Sequence, residues 1–337
     1  MTSRSIALSR PQGPATTPSI ALALGGGGAR GLAHIVMLEA FDELGLRPKI
    51  IAGTSIGAIF GAAYASGLSA RSIREHTENL LTAPFDLLRE IFSARTGASI
   101  TTLRQFFSPR AAILSPESLL DALLPKGVAR DFSELQIPLK IVATDFYAQQ
   151  PKVFSEGPLR RAVAASIALP VIFEPVIVEG RALIDGGLTN PLPFDLLIGE
   201  ADITVAIDVS GAPVPTPGRD YPSALEALFA SAFIFERTIN REKLKSLQPD
   251  IYVDAGTSHF QILDILKVKE ILAAAEPGKE KLKAKLARVL GSETLPALAP
   301  PEEIVALAGY TSANEFETEH KRRPLLKRLK SPRKPKR

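Results

Sequence analysis

Cysteine is absent from this sequence of 337 residues. Its absence excludes a disulfide framework, a thiolate metal site and thiol chemistry, although it does not fix the compartment. No apolar stretch reaches the length of a membrane-spanning helix. Residues 1–18 are rich in Ser, Thr and Pro and lack the apolar segment of a signal peptide. We therefore interpret residues 1–18 as a disordered leader and expect a cytoplasmic protein.

Acidic residues are missing from the C-terminal end. After Glu319, residues 321–337 contain five Lys and five Arg, while the whole chain has a net charge of +4. Removing these ten positive charges leaves the remainder at −6, so the basic character belongs to the tail, residues 319–337. Such a block is usually disordered. The favoured interpretation is a solvated end. The second is a contact for an anionic membrane surface, which would make this a peripheral membrane protein. A nucleic-acid contact is least favoured.

Short apolar runs alternate with helical spacing in the N-terminal two thirds of the chain. The predicted strands are residues 19–24, 49–52, 139–143 and 203–209, with a hairpin at 176–178 and 182–184. The predicted helices in the first part are residues 29–44 and 56–66. Strand and helix in alternation are typical of an α/β fold with a parallel sheet and crossover helices.

A cluster of prolines indicates a domain boundary in the second half of the chain. Residues 70–136 have irregular helical spacing, and Pro213, Pro215 and Pro217 mark a break after the last predicted strand. We predict an α/β domain at residues 19–211 and a mainly helical C-terminal extension at 212–318 with one strand at residues 250–254. The leader and the basic tail complete the four predicted segments.

A serine lies in a G-x-S-x-G pattern between a predicted strand and a predicted helix. The pattern runs from Gly53 to Gly57 and centres on Ser55. In that setting a sharp turn holds the hydroxyl where a substrate reaches it, and the two glycines leave room for the bend. Ser55 is therefore a candidate nucleophile for the hydrolysis of an acyl ester.

A glycine-rich loop, residues 25–31, precedes the first predicted helix. A dinucleotide site would need an acidic residue at the end of the second strand, and a P-loop would need Gly-Lys-Ser/Thr; both are missing. The favoured interpretation is an oxyanion hole, in which backbone N–H groups of the glycine loop, at the positive end of a helix, face the developing negative charge. Arg30 either adds positive charge there or fixes the loop through a salt bridge.

The base that would activate the serine is sought first among the histidines. They are His34, His76, His259 and His320. None follows a predicted strand in a typical triad position, so we interpret each as structural or exposed. Asp185 ends an apolar run and precedes two glycines. Burial at a strand end would raise its proton affinity toward that of a base; the alternative is an aspartate that caps a turn.

Residues 26–31, 53–57 and 185–187, in this order, resemble motifs of the patatin-like phospholipase family. Residues 143–145 and 165–170 also resemble segments of its bacterial members. The resemblance covers about residues 20–211. It implies a three-layer α/β/α patatin-like fold with a mostly parallel central sheet, and activity on lipid acyl esters.

The same resemblance implies roles for individual residues. Ser55 is the expected nucleophile and Asp185 the expected proton acceptor, in a dyad without histidine, metal or cofactor. The loop from Gly26 to Gly28, with Arg30, forms the expected oxyanion hole. Ser166, within residues 165–170, is expected to support the site and not to react.

The favoured hypothesis is a serine lipid acyl hydrolase of the phospholipase A type that acts on membrane lipids in lipid catabolism. One alternative is a soluble esterase or thioesterase that uses the same dyad on small acyl substrates. Another is a non-catalytic regulator that binds nucleotides or membranes. Four phenylalanines are interpreted as core packing or, less favoured, as an acyl channel or a bilayer contact; they are Phe85, Phe92, Phe106 and Phe107.

Overall fold

The computed structural model describes residues 18–82, 115–212, 221–222, 224–262 and 264–291. These residues belong to one compact unit. The four phenylalanines and the basic tail lie outside the described residues, as does the leader apart from its last residue. Within the described part of the chain, no helix is both long enough and apolar enough to cross a membrane.

A mixed, mostly parallel sheet is the centre of the fold. Its strands are β1 Ile20–Leu24, β2 Ile50–Thr54, β3 Leu139–Asp145, β4 Gln150–Phe154, β5 Val176–Val178, β6 Arg181–Asp185, β7 Ile203–Asp208 and β8 Ile251–Asp254. Consecutive strands are hydrogen-bonded along the path β5-β6-β3-β2-β1-β7-β8, and β4 also pairs with β3. Strands β3, β2, β1, β7 and β8 are parallel, whereas β4, β5 and β6 pair antiparallel. The predicted mostly parallel sheet and the hairpin are confirmed.

Helices connect most of the parallel strands. They are α1 Ala33–Glu43, α2 Ile56–Ala65, α3 Ala70–Thr82, α4 Pro116–Leu123, α5 Leu159–Ser166, α6 Ala224–Ser246 and α7 Val268–Val289. The first predicted helix begins with a 3-10 turn, Gly28–Leu32, before α1. Gly45 follows α1 with φ of +65°, the left-handed conformation in which glycine commonly ends helices.

Two apolar cores on opposite faces of the sheet define three layers. Alternate residues of a strand point to opposite faces, and β1 illustrates the division. Leu22 and Leu24 belong to the larger core, which also contains residues of α1, α2, α5 and α7. Ala21 and Ala23 belong to a smaller core with the 3-10 segment Pro193–Leu197. The predicted α/β/α architecture is therefore confirmed.

The chain beyond the predicted break at residue 212 also contributes to the sheet. Strand β8 pairs in parallel with β7, and α7 packs against α1. Apolar side chains of α7, among them Ile271 and Leu282, belong to the larger core. The predicted division of the chain between residues 211 and 212 stays a prediction.

The pairing of β3 brings the ends of two other strands together. Strand β4 pairs along residues 141–145 on one edge of β3, so β2 and β6 share the opposite edge. Thr54 at the end of β2 pairs with Val142, and Asp185 at the end of β6 pairs with the next residue, Ala143. Because β2 and β6 run in opposite directions, their C-terminal ends meet.

Candidate active site

Ser55 and Asp185 form a hydrogen bond where β2 and β6 meet. The Ser55 Oγ donates to Asp185 Oδ2 at 2.7 Å. The other carboxylate oxygen, Oδ1, accepts from Gly187 N at 2.8 Å. Asp185 therefore caps the turn, as one interpretation expected, and also accepts a hydrogen bond from the serine. Its role as a base stays a prediction. The side chain is buried, with 3% of its surface exposed.

The backbone at Ser55 has an unusual conformation. Its φ of 55° and ψ of −123° lie outside the regions that L-residues favour. The Ser55 amide donates to Ser166 Oγ at 2.8 Å, and that hydroxyl donates to Val142 O at 2.6 Å. A Cβ on Gly57 would overlap the carbonyl oxygen of Leu24, so only glycine fits there. Strain of this kind persists where the surroundings enforce it.

Burial raises the pKa of Asp185 to about 6. The hydrogen bonds from Gly187 and Ser55 act in the opposite direction, because they stabilise the ionised carboxylate. The result is a carboxyl group with a higher proton affinity than an ordinary aspartate, yet ionised above about pH 6. This combination suits a general base that works near neutral pH.

The glycine loop lies directly beside the serine. A Cβ on Gly26 would lie 3.4 Å from the Ser55 Cβ. The Gly26 amide already donates to Pro191 O at 2.8 Å. Within the described residues, the amides of Gly27 and Gly28 have no hydrogen-bond acceptor, and both residues line the cavity in front of Ser55. These two amides are thus the candidate donors to an oxyanion.

Arg30 lies beneath this loop and is buried. Its Nε donates to Gly27 O at 3.3 Å, and the guanidinium lies 5.6 Å from the centre of the Phe233 ring. Burial lowers the pKa of Arg30, and the carboxyl groups of Glu236 and Asp208 partly offset that effect. Within the described residues, Arg30 does not line the cavity, and its buried Nη1 has no hydrogen-bond partner.

The buried His34 also contacts the glycine loop. Its Nε2 lies 2.8 Å from Gly25 O, and burial lowers the pKa of His34 to about 4. The neutral ring therefore donates from Nε2 to the carbonyl. His76 lies near Leu123 O, and His259 packs on Phe260. These positions agree with structural histidines; His320 lies outside the described residues.

An apolar cavity lies in front of Ser55 and Asp185. Its volume is about 210 Å³, far more than the roughly 10–15 Å³ that one water molecule requires. Ser55 and Asp185 line it together with many aliphatic and aromatic side chains. These include Ile59, Leu123, Ile167, Ile172, Phe173 and Ile262. The cavity provides an apolar environment next to a hydroxyl–carboxylate pair.

Two lining residues come from α6 and were missed by the sequence reasoning. Phe233 and Glu236 are three residues apart and therefore share one face of that helix. The sequence assigned this stretch only to a helical extension. Its spacing predicts which side chains lie together, but not which part of the sheet they face.

Comparisons with known proteins identify the family. The family model described as patatin-like phospholipase matches residues 22–198. An uncharacterised NTE family protein of Mycobacterium tuberculosis is 36% identical over 206 residues, 61% of this chain and 52% of that protein. Patatin-like phospholipase domain-containing protein 7 of Rattus norvegicus is 32% identical over 213 residues, 62% of this chain and 15% of that protein. Among solved structures, VipD from Legionella pneumophila has a TM-score of 0.41 at 14% identity, covering 79% of this chain and 66% of that one.

The match covers more than half of the chain, so the chain belongs to the patatin-like phospholipase family. It therefore carries a domain of the carboxylic ester hydrolase class. The chain spans about half the length of the mycobacterial relative that it matches. The family resemblance predicted from the three motifs is confirmed.

Proposed function

We propose that the protein is a serine lipid acyl hydrolase that cleaves carboxylic esters of membrane lipids through a Ser55–Asp185 dyad. The observation that carries this proposal is the 2.7 Å hydrogen bond from Ser55 Oγ to Asp185 Oδ2 at the wall of an apolar cavity. Membership of the patatin-like phospholipase family supports the same chemistry.

The proposed reaction has two steps. Asp185 takes the proton of Ser55 as the serine oxygen attacks the ester carbonyl, and the amides of Gly27 and Gly28 stabilise the oxyanion. The carbonyl re-forms, and Asp185 returns the proton to the leaving alcohol, which leaves an acyl-enzyme. Water then loses a proton to Asp185 as its oxygen attacks the acyl carbonyl. When the second intermediate collapses, the bond to the Ser55 oxygen breaks, Asp185 returns the proton to that oxygen, and the carboxylic acid is released. Arg30 stabilises the loop from below through its bond to Gly27 O.

The lining of the cavity supports a long acyl chain as the substrate's apolar part. Burying apolar surface stabilises a complex by roughly 25 cal/mol per Å², and the lining side chains are mostly aliphatic or aromatic. A hydrolase of this specificity would act in lipid catabolism. The cytoplasmic location and the membrane contact through residues 321–337 remain predictions, and the tail lies outside the described residues.

The acyl-chain prediction is tested with monomeric esters of one alcohol that differ only in chain length. We expect kcat/KM to rise with chain length, because each added methylene enters the apolar cavity. Ile172→Asn should lower kcat/KM for the longest ester about tenfold or more, since it places a polar group in the lining, with a smaller effect on the shortest ester. Ile177→Asn is the matched control, since Ile177 is 53% exposed and is not among the lining residues.

A flat dependence on chain length would favour the esterase alternative for small acyl substrates. Failure to hydrolyse any ester, together with a thermal shift on adding nucleotide, would favour a non-catalytic regulator. Hydrolysis of phospholipid vesicles, followed by identification of the released fatty acid, separates a membrane-lipid hydrolase from both.

A further inference from the structure

A second buried carboxyl group lies beside the dyad. Glu236 on α6 is 3% exposed and lines the cavity with Ser55 and Asp185. A Cβ on Gly187 would overlap Glu236 Oε1 and lie 3.1 Å from Asp185 Oδ1. Both carboxyl groups therefore border the position that a side chain at Gly187 would occupy, and glycine allows them to lie close together.

The two carboxyl groups have unequal surroundings. Asp185 accepts hydrogen bonds from Gly187 N and Ser55 Oγ, and such bonds favour the ionised form. Within the described residues, no group hydrogen-bonds to the carboxyl of Glu236. A buried carboxylate without donors is costly, whereas a neutral carboxylic acid is much less so. When the two carboxyl groups share one proton, we therefore expect that proton on Glu236.

The charges around Glu236 also favour its protonated form. Burial raises the pKa of Glu236 well above its usual value, and the negative charges of Asp185 on β6 and Asp208 on β7 add to that effect. Arg30 beneath the glycine loop opposes them. On α6 itself, the next residue is Arg237. Two carboxyl groups this close cannot both ionise cheaply, so they titrate as a pair.

We propose that Glu236 is a positioning residue of the dyad: near neutral pH it remains protonated and so leaves the single negative charge of the pair on Asp185, which contacts Ser55. This inference rests on the proposed function, because Asp185 acts as a base only in a Ser55 hydrolase. Glu236 lies beyond residues 22–198, the stretch that the family model matches.

A specific pH dependence follows from this arrangement. Reaction at Ser55 should become faster as pH rises through about 6, where Asp185 ionises. At higher pH Glu236 ionises in turn, and a second negative charge beside the cavity opposes the oxyanion at Gly27 and Gly28. The rate should therefore fall again, giving a bell-shaped profile.

The test is the rate at which a fluorophosphonate labels Ser55 as a function of pH. Glu236→Gln cannot ionise, so it should keep the rise near pH 6 and lose the alkaline fall. One pH unit above the midpoint of that fall, the variant should react about tenfold faster than wild type, each relative to its own maximum. Glu242→Gln is the matched control, since Glu242 lies on the same helix and is exposed; it should keep the wild-type profile.

Infrared difference spectra between wild type and Glu236→Gln, recorded near neutral pH, provide a readout independent of turnover. Wild type should show the C=O stretch of a protonated carboxyl group that the variant lacks. Glu236→Leu serves the same comparison if the glutamine variant does not fold. An unchanged pH profile, or no protonated carboxyl in the difference spectrum, would overturn the inference. Absence of labelling at Ser55 in wild type at every pH would instead overturn the proposed function, while the infrared result still decides the state of Glu236.

Discussion

Asp185→Asn protein should fold and lose about 10²–10⁴-fold in kcat for ester hydrolysis, the contribution typical of a general base. Asparagine keeps the shape of the side chain and an oxygen that can accept from Gly187 N. It cannot take the proton that Ser55 donates in attack. The decrease should therefore appear in kcat for every ester, regardless of acyl-chain length.

The same substitution should increase stability at neutral pH. The folded-state pKa of Asp185 is raised from 3.8 to about 6, so the folded protein holds this proton more tightly than the unfolded chain. The stabilising effect of that proton is complete below pH 3.8 and is lost as pH rises through 6. At pH 8 the variant should exceed wild type in free energy of unfolding by on the order of 2–3 kcal/mol, and near pH 4 the difference should be small.

Asp131→Asn is the matched control for both effects. Asp131 caps a 3-10 turn, Phe132–Glu134, by accepting from the amide two residues ahead, as Asp185 does. It is partly exposed and is not among the cavity-lining residues. Activity should not change in this control. Full hydrolysis by folded Asp185→Asn protein would contradict the dyad.

Gly28→Ala should lower kcat/KM by about 10²–10³-fold, the effect of losing one oxyanion donor. Gly28 has φ of +59°, and a Cβ there would overlap the side chain of Ile262. The loop must therefore move, and its amides then point away from the position of the oxyanion. The strained backbone should also cost about 1–3 kcal/mol of stability.

Gly45→Ala separates backbone strain from loss of the oxyanion donors. Gly45 has a similar φ of +65°, but a Cβ there meets nothing within 4 Å. This control should lose some stability and retain activity. The assignment of the glycine loop would be wrong if Gly28→Ala changed stability while kcat/KM stayed at the wild-type level.

The sequence was sufficient for those parts of the site that depend on local structure. The turn at Ser55 follows a buried strand and begins a helix, and Asp185 ends a strand before two glycines. Each pattern is confined to a few neighbouring residues, so residue types alone predict it. That Ser55 and Asp185 would meet came from the family resemblance, and the structure explains it through the shared edge of β3.

The contribution of α6 could not be predicted in this way. Glu236 reaches the cavity because α6 packs near Gly187, a contact between residues 49 positions apart. Nothing in the local sequence distinguishes it from a glutamate on a solvent-exposed helical face. Likewise, the hydrogen bond from Gly26 N to Pro191 O depends on long-range packing. It removes Gly26 from the candidate oxyanion donors and leaves the amides of Gly27 and Gly28.

The central claim is that Ser55 is a nucleophile activated by Asp185, and covalent labelling tests it most directly. Wild-type protein treated with a fluorophosphonate at pH 8 should gain one adduct, which peptide mass spectrometry should locate on Ser55. Ser55→Ala should gain none, and Asp185→Asn should be labelled far more slowly than both wild type and Asp131→Asn. An adduct on another residue, or equal labelling rates for Asp185→Asn and wild type, would contradict the account.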